Sequence, residues 1–352
     1  MGEKKNRQLN MEILRIVAML MIITLHYLDK GGILGDFNEA KGFAGNMAWA
    51  LEAVSMVSVN LYVLISGYFL CESEFKVKKL ILIWAQVLAY SWVITGVFAV
   101  VGHGLSLENG VYDLIPLVFP VTGGQYWFAT VYILMYALSP LFNKAIAGMD
   151  RKLHKRMLIV SIAVFSLWNT FLPFTQPLAD REGMDICWFA VLYLTAAYIR
   201  KYKDDIKVNK WLCLGIFFAA SLSAFGLGKL LLLADRITGK LGGYAQNFYP
   251  YNSFFIFVAA TALFIFAVKT EIKGNGILQK IIIFASSGTF GVYLLHEHSL
   301  MRYRWPLWAN TSSFAGRPAF LLHMIVTVIA VFVAGICVDF LRRLIFKIFV
   351  KS

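Results

Sequence analysis

Two ionisable residues, Arg15 and His26, lie within the first apolar run of the chain, residues 11–28. Their separation of eleven positions corresponds to about three helical turns plus ~20°, so both side chains fall on one helix face. At ~1.5 Å per residue they lie ~16 Å apart, roughly half the thickness of a bilayer core. Ionisable groups inside membrane helices are costly and often mark functional sites. Each residue alone has a structural explanation, but the pair on one face favours a site.

The composition indicates a membrane protein. The chain has 352 residues, of which 59% are hydrophobic and only 15% charged, and its mean hydropathy is +0.68. Soluble proteins carry about 25% charged residues. The net charge of +13 comes from short basic clusters between apolar runs, which fits a topology signal and not nucleic-acid binding. The four cysteines are scattered singly, and no metal site is expected.

Apolar length predicts an all-α, polytopic membrane protein, with residues 1–352 forming a single membrane domain. The predicted inside segments hold 23 lysine and arginine residues and the outside loops hold eight. This bias predicts an even number of spans with both termini cytoplasmic. Arg15 then lies at the cytoplasmic end of the first helix, so that an anionic ligand bound there can extend towards His26. The ten candidate spans are 11–28, 48–70, 80–102, 126–143, 157–173, 184–200, 211–234, 250–269, 280–300 and 320–343.

Three lysines, Lys76, Lys78 and Lys79, follow the end of the second predicted span. They could hold phosphate groups as point charges at the cytoplasmic face, or they could be ordinary positive-inside residues. The same span ends in a Ser-Gly-Tyr sequence that contains Ser66 and Tyr68.

Two further groups of side chains are candidate ligand contacts. Tyr126 and Trp127 begin the fourth predicted span, where an interfacial aromatic belt would also place them. His296, Glu297 and His298 lie near the outer end of the ninth span. This polar triplet either lines a cavity or marks the end of the helix at the membrane surface. His296 and His298 point to different helix faces, so they do not suggest a metal site.

With these residues taken together, the chain resembles the acyltransferase-3 family of bacterial membrane proteins, which acylate surface carbohydrates. The resemblance covers nearly the whole chain, and its elements occur in family order. They are the segment 10–15 with the Arg-x10-His spacing from Arg15 to His26, the segment 65–68 with the basic cluster after it, 126–128, 139–140 and 291–296.

The resemblance implies a ten-helix domain in the bacterial cell membrane that uses cytoplasmic acyl-CoA, usually acetyl-CoA, as the acyl donor. Arg15 and His26 correspond to the essential arginine and histidine of the family. Lys76, Lys78 and Lys79 fall where many members carry an arginine pair, and lysine cannot make the bidentate contacts of arginine. Some members carry a second, soluble domain, so transfer is expected to be completed by this chain or by a separate partner.

Acyl transfer from a thioester to a hydroxyl needs a base or a nucleophile that carries the acyl group. An imidazole can do either near neutral pH, so His26 is expected to be the base or the acyl carrier. Arg15 would bind the CoA, and Glu12 either orients the guanidinium or forms a structural ion pair. A carbohydrate acceptor would enter from the outer side. The residues expected to contact it are Ser66, Tyr68, Tyr126, Trp127, His296 and Glu297.

Two other interpretations of the sequence predict no covalent chemistry. A transporter or flippase for a glycan or lipid-linked sugar would also have polytopic helices and a basic cytoplasmic face, although neither broken helices nor inverted repeats are evident. A membrane scaffold would bind no small ligand. The acceptor and the oligomeric state are not fixed by the sequence.

Overall fold

The structure is a computed structural model that describes residues 7–101, 111–175, 181–274 and 276–350. Within these ranges it contains helices and no strands, which confirms the predicted all-α fold. The helices are α1 (Leu9–Leu28), α2 (Gly42–Ser55), α3 (Val57–Leu70), α4 (Val77–Val100), α5 (Val111–Val118), α6 (Trp127–Ala147), α7 (Arg151–Ile162), α8 (Trp168–Phe171), α9 (Ile186–Lys201), α10 (Lys210–Thr238), α11 (Phe254–Val268), α12 (Gly276–His296), α13 (Arg304–Trp308) and α14 (Phe320–Val350).

Helices cover most of each of the ten predicted spans, and residue 102, at the end of the third span, lies outside the described residues. Seven helical segments of the described chain are long and apolar enough to cross a membrane: α1, α2 with α3, α4, α6, α10, α12 and α14. The other three predicted spans fall on α9, on α11 and on α7 with α8, which a π-helical turn at Ala163–Leu167 connects. The number of spans and the side of the termini remain predictions.

Helix α1 lies at the centre of the bundle, where it packs against α12, α3, α14 and α2. In α1, 56% of the residues of an apolar 18-residue stretch are buried, against 28% in the corresponding stretches of α4 and of α10. Valines on one side of α4, such as Val93 and Val97, are exposed instead, as expected for side chains that face lipid. The helix that carries Arg15 and His26 is therefore surrounded by protein and can line an internal site.

Glycines bring α12 and α14 into close contact. A Cβ on Gly335 would lie 2.9 Å from the Cα of Val292, and one on Gly291 would lie 2.4 Å from both the Asp339 carboxylate and the Tyr90 hydroxyl. Small residues permit such close helix approach in membranes. This contact fixes the position of α12, and with it the residues at the end of α12 that face α1.

A buried carboxylate, Asp339, connects three helices. It accepts hydrogen bonds from Tyr90 Oη of α4 at 3.1 Å and from Arg342 Nε at 2.8 Å, and Arg343 Nε lies 2.9 Å from its other oxygen. Arg343 in turn donates to the Ser287 hydroxyl of α12 at 2.6 Å. The ion pairs offset the cost of burying the carboxylate, and the network holds α4, α12 and α14 together.

Candidate active site

One face of α1 connects a cavity with a histidine centre. Arg15, Met19 and Ile22 line a cavity of about 320 Å³, and His26 follows one turn after Ile22. These positions differ by three or four residues, so they form a single stripe along the helix. The prediction that Arg15 and His26 share a face is confirmed.

The cavity has a basic, open end and a closed, aromatic end. Arg7, Arg15 and Lys79 contribute its cationic side chains, and Arg7 and Lys79 are exposed. The opposite end is lined by Phe128 and Tyr293, which are buried. The predicted topology places the open end at the cytoplasmic face. An anionic ligand would meet the basic residues first, and its uncharged part would point towards His26.

Arg15 is held by several contacts at the wall of this cavity. Its Nη1 lies 2.9 Å and 3.0 Å from the two carboxylate oxygens of Glu12, which is buried. Its guanidinium lies 5.8 Å from the centre of the Phe69 ring, and its carbonyl accepts a hydrogen bond from Tyr62 Oη at 2.8 Å. The side chain is nevertheless 28% exposed. One ion pair therefore orients the guanidinium while leaving part of it accessible to a ligand.

The hydrogen bonds of His296 determine the tautomer of His26. His296 Nδ1 lies 2.6 Å from the Val292 carbonyl, which can only accept, so Nδ1 carries the proton. In neutral His296, Nε2 is therefore an acceptor, and it lies 3.0 Å from His26 Nδ1. His26 must then donate through Nδ1, which leaves the lone pair on its Nε2. Among the residues that the structure describes, Nε2 has no hydrogen-bond partner, and the side chain is 18% exposed. His26 is thus arranged to accept a proton or an acyl group at Nε2.

Glu297 completes the centre next to His26. Its Oε2 lies 3.3 Å from His26 Nδ1 and contacts Lys30 Nζ, and its Oε1 lies 3.4 Å from Arg302 Nη1. Burial lowers the pKa of Lys30, although the adjacent Glu297 carboxylate opposes the shift. Arg302 also donates to the Gln125 carbonyl at 2.9 Å. Lys30 and Arg302 thus pair with a carboxylate beside His26, and a negative charge there would stabilise a positive charge on the imidazole.

The comparison with protein families identifies the chain. A family model described as an acyltransferase domain, Acyl_transf_3, matches residues 8–340. The chain belongs to this acyltransferase family. Neither the comparison with curated proteins nor that with solved structures gave a match.

The structure brings some of the residues predicted to bind the donor together in the acyltransferase. Arg15 and Lys79 line the cavity. Ser66, which was predicted to contact the acceptor, also lines it. Lys76 and Lys78 are exposed at the start of α4 and do not line it. If these two lysines contact the donor as predicted, they contact the part of it that lies outside the cavity.

The residues predicted to bind the acceptor separate into two sets. His296 and Glu297 contact His26 directly, whereas Tyr126 is buried and donates its hydroxyl to the Leu294 carbonyl at 2.9 Å. Trp127 follows Tyr126 in the chain, and its ring centroid lies 5.8 Å from that of Tyr251. Tyr68 is buried elsewhere, under the guanidinium of Arg200 at 4.8 Å.

Sequence analysis did not assign several residues of this candidate site. Lys30 and Arg302 were counted only as charges of outside loops, and Arg7 only as a positive-inside residue. The cavity also includes five polar side chains that were not selected, since isolated hydroxyls inside apolar runs give no signal. They are Tyr62, Tyr132, Ser286, Ser287 and Thr289. In the described part of the chain, no three His, Cys, Asp or Glu side chains are grouped to hold a metal ion.

Proposed function

We propose that this membrane acyltransferase transfers an acetyl group from cytoplasmic acetyl-CoA to a hydroxyl of a cell-surface or exported carbohydrate, in a bacterial cell membrane. One observation carries the proposal. A single face of α1 connects a cavity with three cationic side chains to a histidine whose Nε2 has no partner among the described residues. The first feature suits the phosphates of a donor, and the second suits the chemistry of acyl transfer.

The size of the cavity supports a particular orientation of the donor. A volume of about 320 Å³ is at the lower end of the range for pockets that hold drug-sized ligands, and CoA is larger than such a ligand. We therefore assign the cavity to the acetylated pantetheine arm. The nucleotide then lies at the open end beside Lys79, where Lys76 and Lys78 are also exposed. These lysines would act as point charges on the phosphates.

The cavity ends one helical turn before His26, because its lining on α1 stops at Ile22. The thioester at the tip of the arm would therefore lie just below the imidazole. An acceptor hydroxyl that reaches the other side of the imidazole could attack the thioester carbonyl from there. We assign the sugar contact to the aromatic surface of Trp127 and Tyr251, whose ring centroids lie 5.8 Å apart, because aromatic rings suit the apolar faces of sugars.

In the proposed reaction, His26 Nε2 removes the proton of the acceptor hydroxyl as its oxygen bonds to the carbonyl carbon. The resulting imidazolium is stabilised through Nδ1–H by His296 and by the carboxylate of Glu297. The tetrahedral intermediate then expels the CoA thiolate, which takes the proton from His26. If His26 is instead the acyl carrier, Nε2 attacks first and the same atom bears the acetyl group.

Binding and turnover by detergent-purified protein test this proposal. We expect saturable binding of acetyl-CoA, at least tenfold weaker after Arg15→Ala. His26→Ala should bind normally but release no CoA. Arg151→Ala removes an exposed arginine that pairs with Asp205 and is the matched control, with binding unchanged. A well-folded wild type that binds no acetyl-CoA would overturn the proposal, as would full turnover by His26→Ala.

A further inference from the structure

The hydroxyl of Tyr293, a residue at the closed end of the cavity, is buried and donates a hydrogen bond to none of the described residues. Tyrosine hydroxyls that are buried usually find a partner, because an unsatisfied one costs about 1–3 kcal/mol. Such a group in a functional cavity calls for an explanation. A ligand atom that accepts a hydrogen bond would provide one.

Tyr293 lies on α12 between the cavity and the histidine centre. It precedes His296 by three residues, and the two ring centroids are 6.3 Å apart in a T-shaped arrangement. Phe290 stacks on its ring at 6.2 Å and Phe128 packs edge-on at 5.7 Å. These aromatic contacts fix the ring, and with it the position of the buried hydroxyl, at the wall of the cavity.

The other hydroxyls around the cavity differ from that of Tyr293. Four of them donate to main-chain carbonyls: Tyr62, Ser286, Ser287 and Thr289. Tyr132 accepts from Ser66 at 3.5 Å and follows Phe128 by one turn of α6, towards the open end. Near His26, Lys30 and Arg302 contact Glu297, and His296 Nδ1 donates to Val292. Among these groups, Tyr293 is the uncommitted donor nearest to the expected position of the thioester.

We propose that the Tyr293 hydroxyl donates a hydrogen bond to the carbonyl oxygen of the acyl thioester and stabilises the oxyanion that forms on it. When the acceptor oxygen bonds to the carbonyl carbon, the electron pair of the C=O double bond moves to the carbonyl oxygen, which lies next to Tyr293. The pair returns when the carbon–sulfur bond breaks, and the tyrosine keeps its proton throughout. Donors fixed in position for such an oxyanion are typically worth about 10²–10³ in rate.

This inference rests on the proposed function, and Tyr293→Phe tests it separately. The assay measures transfer of label from [¹⁴C]acetyl-CoA to endogenous acceptor in inverted membrane vesicles from source cells that lack the chromosomal gene and express each variant. Affinity for acetyl-CoA and thermal stability are measured on purified protein. We expect the maximal rate to fall about 100-fold, with affinity within twofold of wild type. The melting temperature should change little, because the missing hydroxyl donates no hydrogen bond to a described residue.

Tyr193→Phe is the matched control, because its hydroxyl donates to Asn143 Oδ1 at 2.7 Å, away from the site. It should lower stability and leave the rate unchanged. Full transfer by Tyr293→Phe beside an inactive His26→Ala would overturn the oxyanion role alone. So would a rate loss that accompanies an equal loss of stability or of acetyl-CoA affinity. A wild type that transfers no label would overturn the proposed function and this inference with it.

Discussion

His26 Nδ1 and His296 Nε2 lie 3.0 Å apart across the interface of α1 and α12, although 270 residues separate them in the chain. His296 can only accept from His26 while its own Nδ1 donates to Val292. One imidazole therefore fixes the tautomer of the other. Like the orienting group behind a general base in other enzymes, His296 would act through His26 without itself touching the acceptor.

We predict that His296→Ala lowers the maximal transfer rate by about 100-fold, because His26 loses the nearer of the two acceptors that face its Nδ1 proton, at 3.0 Å against 3.3 Å for Glu297. The affinity for acetyl-CoA should stay within twofold, since His296 does not line the cavity. His154→Ala is a suitable control, as it removes another buried histidine, which contacts the Leu194 carbonyl and the rings of Tyr198 and Tyr202 and does not line the cavity. Equal rates for the His296 variant and wild type would show that the contact is only structural.

We predict that Glu297→Gln destabilises the protein, because it leaves Lys30 and Arg302 without their shared counter-charge in a buried position. Removing one partner of a buried ion pair costs about 3–5 kcal/mol. Glu72→Gln, which breaks the exposed pair with Arg200, should cost less than about 1 kcal/mol. Chemical unfolding of the two variants in detergent compares them. Equal stabilities would mean that Lys30 and Arg302 find other partners.

The sequence predicted the elements and the central pair but not the contacts between distant helices. The runs predicted from apolar length fall largely on helices, although the number of membrane spans stays a prediction. Helical periodicity placed Arg15 and His26 on one face, and both properties are local. The contact of His26 with His296 and Glu297 depends on the packing of α1 against α12. That packing follows from close approaches such as the one at Gly335, which no local pattern reveals.

Charges were the least predictable part of the site. Lys30 and Arg302 look like ordinary loop residues in the sequence, yet both contact a buried carboxylate. Conversely, Tyr126 looked like a sugar contact at the membrane interface, and the structure shows its hydroxyl bonded to the Leu294 carbonyl. Side-chain type alone did not distinguish a ligand contact from a structural one.

The network around Asp339 gives a prediction about stability outside the site. Tyr90→Phe removes one hydrogen bond to a buried carboxylate and should cost about 1.5–3 kcal/mol, since the acceptor is charged. Asp339→Ala leaves Arg342 and Arg343 without their carboxylate, and we expect a cost of about 3–5 kcal/mol. Chemical unfolding in detergent measures both values. A smaller loss for the aspartate variant than for the tyrosine variant would contradict the role of the ion pairs.

His298 gives a prediction about pH. Burial lowers its pKa to about 4, from an ordinary value of 6.5, and Arg302 adds to the shift. The unfolded chain therefore binds a proton between these pH values that the folded chain does not, so this histidine lowers stability as the pH falls from 6.5 towards 4. The contribution is on the order of 3 kcal/mol. Melting temperatures from pH 4 to 8 should show weaker acid sensitivity in His298→Asn than in wild type. Parallel curves of melting temperature against pH for the two proteins would contradict this role of His298.

The most direct test of the central claim is transfer of label from [¹⁴C]acetyl-CoA to endogenous acceptor in inverted membrane vesicles, with wild type beside His26→Gln. The proposed function predicts label in a non-protein acceptor with wild type and a loss of at least 100-fold with the variant, whose neutral amide cannot act as a base. Equal labelling by both proteins would contradict the assignment of His26 to the chemistry.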